Sequence, residues 1–277
     1  MKKLVFSLLA FVMIGFGANA QIKTPSPSPT QTIKQDFALS SIEITYSRPS
    51  TKGRVVFGDL TPYGKIWRTG ANAATKIKFG EDVKVGGVAV KAGEYALYSV
   101  PNKDEWEIII NKGANNSGLN GYKEADDVAR FKVKSSALAS SVEMFTIQIA
   151  NQNGSSAEIQ VLWEKTAVAI PIVADIDTKI MSSIDRAMNV DTKPYFESAS
   201  YYYEAGKDLP KALAWANKAT EANPKAYWIF LLKAKIEAKM GNKLAAMETS
   251  KKSLELAIEG KNEDYVALNQ KLQASLK

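Results

Sequence analysis

The sequence predicts a two-part protein: an N-terminal antiparallel β-sandwich or barrel followed by an all-α domain. Three observations predict this. Between residues 41 and 173, short runs of alternating apolar and polar residues are punctuated by Gly, Pro and Asn, the pattern of half-buried strands joined by tight turns. Near Ala174 the apolar spacing changes to three and four, the period of helices. The helical part then repeats itself at a fixed offset.

Residues 1–20, MKKLVFSLLAFVMIGFGANA, read as a secretory signal peptide of bacterial type. Lys2 and Lys3 form the basic start, Leu4 to Phe16 the apolar core, and Ala18-Asn19-Ala20 the small-x-small cleavage site. The apolar run is shorter than the ~20 residues a membrane span needs, and no other segment comes near that length. Cleavage after Ala20 would leave an exported chain beginning at Gln21, periplasmic or secreted, with no membrane span. The sequence has no Cys, so no lipid-anchored Cys is available there. Residues 21–35 follow as a Pro/Ser/Thr-rich extended linker, with structure expected from Asp36.

The β domain is expected over residues 36–173. Ser41 to Ser47 alternates, with Ile42, Ile44 and Tyr46 on one side. Pro49 ends that strand, because Pro cannot donate to a ladder. Val55 to Phe57 reads as a second short strand. Residues 58–73, with Gly58, Pro62, Gly64 and Gly70, read as a long ordered loop with a helical turn near Tyr63 to Trp67. Thr75 to Phe79 is the next strand. Val83 to Val85, Gly86-Gly87 and Val88 to Val90 form a tight hairpin, since paired Gly supplies the positive φ of the turn. Glu94 to Val100 follows, then Trp106 to Asn111, whose three consecutive Ile imply burial on both faces. Residues 112–127 are loop. Val128 to Lys134, Glu143 to Ala150, Glu158 to Lys165 and Val168 to Val173 complete around ten short strands, the spacing of a sandwich or barrel. Trp106 and Trp163 alternate with Ile and Val and are core residues on this reading.

Composition excludes much chemistry. With no His and no Cys, the sequence lacks the commonest general base, thiol nucleophiles and most transition-metal ligands. No cofactor motif and no alternating Asp/Asn cation loop is present, so neither cofactor nor metal is expected. The net charge of +7 is spread along the chain, with two of its positive charges in the leader. Nucleic-acid binding is not expected of an exported chain without a dense basic block.

Residues 46–72 stand out. Of 36 basic residues only five are Arg, and Arg48, Arg54 and Arg68 fall here, among Tyr46, Tyr63, Trp67 and Asn72. Arg presents a planar fork of donors suited to carboxylate or phosphate, which Lys does not. One reading is a pocket in which the three Arg converge, Tyr63 and Trp67 provide aromatic surface and Asn72 adds an amide, suited to an anionic or sugar-like ligand. The other is that these Arg pin the long loop to backbone carbonyls. A third function class, a carboxylate-based glycan hydrolase, would draw on Glu43, Asp59, Glu94 or Glu107, none of them paired by local spacing.

The helical part starts with a connecting helix over residues 174–194, where Ile176, Ile180, Ile184 and Met188 share a face. Helices are expected over 195–205, 209–222, 225–240, 243–259 and 262–276. Pro210 suits a first turn, and Asn223-Pro224 separates two helices. Gly206 aligns with Gly241 and Leu209 with Leu244 at a period of 35. Ala199, Gly206, Ala212, Leu213, Ala219, Asn223 and Pro224 resemble the tetratricopeptide-repeat pattern of small residues where paired helices meet. The resemblance covers about residues 195–276, within a helical domain expected over 195–277, and implies binding of an unidentified protein partner in a concave groove. The alternative is that these helices cap or dimerise the β domain. Among Tyr201, Tyr202 and Tyr203 at least one is expected to be exposed, with Tyr201 and Tyr202 as interaction candidates. Trp215 and Trp228 read as helix-packing residues.

The β domain also carries a family resemblance. Tyr46-Ser-Arg-Pro, Lys52-Gly-Arg, Phe57-Gly, Pro62-Tyr-Gly, Trp67-Arg-Thr-Gly-Ala-Asn, Val85-Gly-Gly, Ala92-Gly-Glu-Tyr-Ala-Leu and Trp106-Glu-Ile-Ile-Ile-Asn resemble an exported bacterial family, domain of unknown function 2911, over residues 36–173. The family implies a fold and no established activity. Ala73 stands where the family pattern carries Glu, which weakens an enzymatic expectation. The reading is therefore a non-enzymatic binding module with a helical interaction domain, with a pure scaffold or a glycan hydrolase as alternatives.

Overall fold

The computed structural model describes residues 24–190 and 193–277. Residues 1–23, which include the run read as a signal peptide and the start of the Pro/Ser-rich segment, lie outside the described residues. The chain divides into two compact units between Asp175 and Ile176.

Among the described residues, the first unit is an antiparallel sheet of nine strands. In chain order these are β1 (Thr30–Phe37), β2 (Ser40–Ser47), β3 (Thr75–Phe79), β4 (Val83–Val85), β5 (Val88–Val90), β6 (Gly93–Val100), β7 (Glu105–Asn111), β8 (Asp127–Ala150) and β9 (Ser156–Ala174). Their order across the sheet is β1-β2-β3-β6-β7-β8-β9-β4-β5. The sheet folds over on itself because of β8. Its first part pairs with β7 and its second with β9, and the register breaks between Ala137 and Val142 and again between Val142 and Thr146. Extra residues on one strand bend it and raise its twist. Opposite the break, Glu164 takes a left-handed φ of 53°.

The folded sheet encloses one core. Tyr46 of β2 meets Phe145 of β8 edge-on at 5.7 Å, and Trp106 and Trp163 are both buried, as their alternation implies. The three Ile of β7 are buried on both faces. Ile109 belongs to a smaller outer cluster with Ala74, Ala96 and Tyr98, half-covered by Ile66 and Tyr122. The β4–β5 turn has positive φ at both Gly86 and Gly87, as a two-residue hairpin requires.

Three features differ from the sequence reading. Strand structure begins at Thr30, not at Asp36: TQTIKQDF is an edge strand made by pairing with β2, and its one outward ladder leaves it polar. Val55 to Phe57 is loop, with only an isolated bridge from Phe57 to Thr61. The four last strands are two long ones, since the polar stretch Ser135 to Ser141 stays extended through the bend.

The second unit contains six helices among the described residues: α1 (Asp177–Ala187), α2 (Tyr195–Glu204), α3 (Leu209–Ala222), α4 (Tyr227–Lys239), α5 (Lys243–Glu259) and α6 (Glu263–Leu276). α1 is part of this unit. Ile184 is buried with Ala199, Tyr202, Ala216, Leu232 and Ile236, and Ile180 and Met188 flank it. Helix pairs repeat. Ala199 and Ala234 are both buried at equivalent points of α2 and α4; so are Ala212 and Ala246, and Ala219 and Ser253, on α3 and α5. Small residues there let helix axes approach closely. Gly206 and Gly241 end α2 and α4 with φ of 65° and 85°. The next N–H reaches back five residues, Lys207 to Tyr202 O at 2.8 Å and Asn242 to Glu237 O at 2.9 Å, the Schellman cap. No helix of the described residues is long and apolar enough to cross a membrane.

Candidate anion-binding site

Residues 48–74 join β2 to β3, and the sheet itself holds them. β3 pairs with β6 only as far as Thr75 opposite Leu97. Beyond that point Trp67 takes over the free edge of β6: its N–H donates to Ser99 O at 2.7 Å, and its carbonyl oxygen accepts from the Ser99 N–H at 2.9 Å. The Trp67 ring enters the core, stacked on Trp163 at 5.9 Å and edge-on to Phe57, Trp106 and Phe145. Its Nε1 donates to Gly70 O at 3.0 Å. Trp67 is thus an anchor rather than an open stacking surface. Successive side chains of extended backbone point to opposite sides, so Arg68 points outward.

Arg68 is positioned on two sides. Its Nη1 donates to Asn72 O at 2.9 Å. The guanidinium also lies against Gly118, where an added Cβ would sit 2.8 Å from Nη1. Its Nε and Nη2 donate to no protein atom among the described residues. Arg54 is partly committed to the loop: Nε donates to Thr51 O at 2.8 Å and Nη2 to Ser50 O at 2.7 Å, leaving Nη1. Arg54 and Arg68, with Lys52, Lys65 and Asn72, line one hollow of about 500 Å³ whose floor includes the edges of Trp67 and Trp163. That volume falls in the ~300–1,000 Å³ range of small-molecule sites. Its lining holds four cationic side chains and no carboxylate. Glu143 stands behind it. It accepts the Thr51 hydroxyl and, at 2.9 Å, the Lys52 N–H. The Thr51 hydrogen bond, then the Lys52 N–H, hold its carboxyl below the usual range, helped by the Arg54 and Lys52 charges.

Arg48 is not part of this hollow. Its Nε donates to Phe145 O at 3.0 Å and its Nη2 to Thr146 Oγ1 at 2.8 Å, so it ties the end of β2 to β8. It lines a separate hollow with Gln31, Ile33 and Gln148. The three Arg therefore split: Arg54 and Arg68 come together, and Arg48 goes elsewhere. Tyr63 does not line the cationic hollow; its ring packs over Gly58. Asn72 lines it with a left-handed φ of 59°. Lys52 and Lys65, absent from the sequence-derived site, join it. Both lie in the same 46–72 stretch, but nothing about a Lys in a basic chain marks it. Ser28, from the segment read as linker, lines it too and accepts the Asn72 amide at 3.4 Å.

None of Glu43, Asp59, Glu94 and Glu107 lines the hollow. Glu94 sits beside Lys76 and Lys78 at 3.6 and 3.5 Å, and Glu107 pairs with Arg130 at 2.6 Å. Arg130 continues to Asp127 at 2.9 Å and to Tyr122, whose hydroxyl is pushed up to about 12 by burial and by Asp127 beside it. Among the described residues, no group of three or more Asp or Glu is placed to hold a metal ion.

In the helical unit Tyr202 is buried, edge-on to Trp215 at 4.8 Å with Lys211 over both rings. Tyr201 is half-buried and donates to Asp177 Oδ1 at 2.6 Å, while Tyr203 is also half-buried. None of the three is fully open, because Asp177 of α1 meets Tyr201, Trp215 of α3 meets Tyr202 and Lys239 of α4 lies over the Tyr203 ring at 4.7 Å. Trp228 of α4 remains 41% exposed.

No curated protein and no protein of known structure matches the chain. One family does, over residues 28–172, which is more than half of the chain and includes every residue of the cationic hollow except Pro27. The match begins before β1 and ends within β9, so it follows the boundaries of the β unit. The chain belongs to the family described as Protein of unknown function (DUF2911).

Proposed function

We propose that the protein is an exported, non-enzymatic binding protein whose β unit takes up an anionic ligand between Arg54 and Arg68. The carrying observation is the lining: four cations, no carboxylate, and an Arg68 fork with an unused Nε–Nη2 edge. Like charges gathered in one hollow repel one another, and an anion relieves that repulsion. Two charge-assisted hydrogen bonds from Arg68 would contribute about 1.5–3 kcal/mol each. The leader-like start, Lys2 to Ala20, supports export. The test is calorimetric titration of small organic acids into the full chain and into Arg68→Ala. The substitution should weaken binding by at least ~10-fold; unchanged affinity would sink the proposal.

The helical unit supports a second, separate working surface. Its hairpins repeat with the same buried small residues and the same Gly caps, an arrangement similar to tetratricopeptide repeats. On this reading it binds a protein partner. A chain ending at residue 175 should keep anion binding and lose the partner; a truncated chain that still holds the partner would contradict it.

A further inference from the structure

Resting on that reading of the cationic hollow, we infer that its ligand is a carboxylated oligosaccharide, a chain of uronic-acid type, rather than a phosphate or an acidic peptide. The observation is a second hollow of about 330 Å³ that shares Asn72 with the first. The two are chemically different. The first is cationic. The second is lined by the neutral hydroxyls and amides of Thr30, Thr45, Ser47, Asn72, Asn115 and Asn116, several of them paired with one another or with neighbours, set among Tyr46, Ala73, Ala74 and Ala114, a mixture that suits the hydroxyls and the C–H faces of a sugar. Its one cation, Lys76, is already committed to Asn115 at 2.8 Å and faces Glu94 at 3.6 Å.

A ligand that satisfies both hollows has a planar anion at one end and a dense set of uncharged hydroxyls beyond it. A carboxylate meets the free Nε–Nη2 edge of Arg68 with two parallel hydrogen bonds. The hydroxyls of the next sugar meet the Asn/Thr/Ser lining. A bound peptide strand would instead need a row of main-chain donors and acceptors, and this lining offers side-chain groups. Phosphate could meet the same Arg68 fork, but a lone phosphate leaves the neutral lining beyond Asn72 unused, whereas a carboxylated sugar chain occupies both hollows. Asn72 forms the junction. Its amide reaches Ser28 O at 3.4 Å and Ser47 Oγ at 3.3 Å, beyond the usual 2.7–3.2 Å range of such bonds. These weak contacts exchange readily for a sugar hydroxyl.

The test is titration of the full chain with galacturonate, trigalacturonate, maltotriose, a glutamate tripeptide and inorganic phosphate. Trigalacturonate should bind at least ~10-fold tighter than galacturonate, and maltotriose, the peptide and phosphate at least ~10-fold weaker than trigalacturonate. Arg68→Lys keeps the charge and loses the fork, so it should weaken both uronates by ~10-fold or more. Asn72→Gly keeps the left-handed backbone; it should erase most of the trimer's advantage over galacturonate. Asn115→Ala, on an exposed loop position, should act in the same direction, and melting curves establish that each variant is folded. Equal affinity for monomer and trimer, or phosphate or peptide binding as tightly as trigalacturonate, overturns the assignment while anion binding through Arg68 stands. If no anion binds at all, both readings fall together.

Discussion

Arg48 and Arg68 are twenty residues apart in one loop-bearing stretch, yet the structure divides them between two jobs, and replacing each by Ala should separate those jobs. Arg48 makes two hydrogen bonds to β8, at 3.0 and 2.8 Å, from a half-buried position. Bonds to a charged donor are worth about 1.5–3 kcal/mol when buried. Partial exposure reduces this, so losing both should cost roughly 1–3 kcal/mol. Arg68, half-buried as well, makes one solvent-exposed bond, to Asn72 O, worth about 0.5–1.5 kcal/mol. Arg48→Ala should therefore loosen β8 and leave anion affinity unchanged; Arg68→Ala should do the reverse. Hydrogen exchange of the Phe145 and Ile147 amides reads the first effect directly, because they bond to Pro49 O and Tyr46 Oη. A cost of 1–3 kcal/mol speeds exchange about 5- to 150-fold. Calorimetry with the same organic acids reads the second. If Arg48→Ala abolishes binding with exchange unchanged, or if the two variants behave alike, the division is wrong.

Two further outcomes follow from the β unit. A Cβ at Gly86 would lie 2.2 Å from the Phe131 ring, whereas one at Gly87 meets nothing within 4 Å, though both φ values are positive. Gly87→Ala should cost only the ~1–2 kcal/mol of a left-handed Ala, and Gly86→Ala measurably more; equal midpoints in urea denaturation would contradict the packing. The carboxyl of Glu143 is held below its ordinary value of 4.5 by Thr51 and Lys52. A depressed folded value means that its anchoring is fully present above pH ~4.5 and is lost as pH falls through the lower folded value. Exchange of the Thr51 and Lys52 amides should therefore accelerate over that acid window in the native chain and show no such step in Glu143→Gln; a step surviving the substitution would assign it to another group.

Much of the architecture is legible in the chain because it rests on local periodicity. The alternation of Ile42, Ile44 and Tyr46, the three Ile of β7 and the paired Gly of the β4–β5 turn each specify their own geometry. The helices follow from their apolar spacing, and Gly206 and Gly241 mark their ends. Three features are not legible there. β1 is polar and becomes a strand only because β2 offers a ladder. The stretch from Ser135 to Ser141 has no alternation and remains extended because β9 pairs along part of it. The partial burial of Tyr201 and Tyr203 depends on which helices cover them, which a single helical period does not state.

The site divides the same way. By composition alone, the absence of His and Cys excludes imidazole and thiol chemistry, and the concentration of scarce Arg singles out residues 46–72. Which Arg serves which purpose is a matter of direction. Trp67 turns into the core because β6 has a free edge beyond Leu97, and that turns Arg68 outward; Arg48, one residue past β2, falls within reach of Phe145 O instead. Lys52, Lys65 and Ser28 join the hollow through contacts across the fold that no local pattern encodes. Residue type determined which donors this surface carries, and tertiary packing decided which of them the fold itself uses.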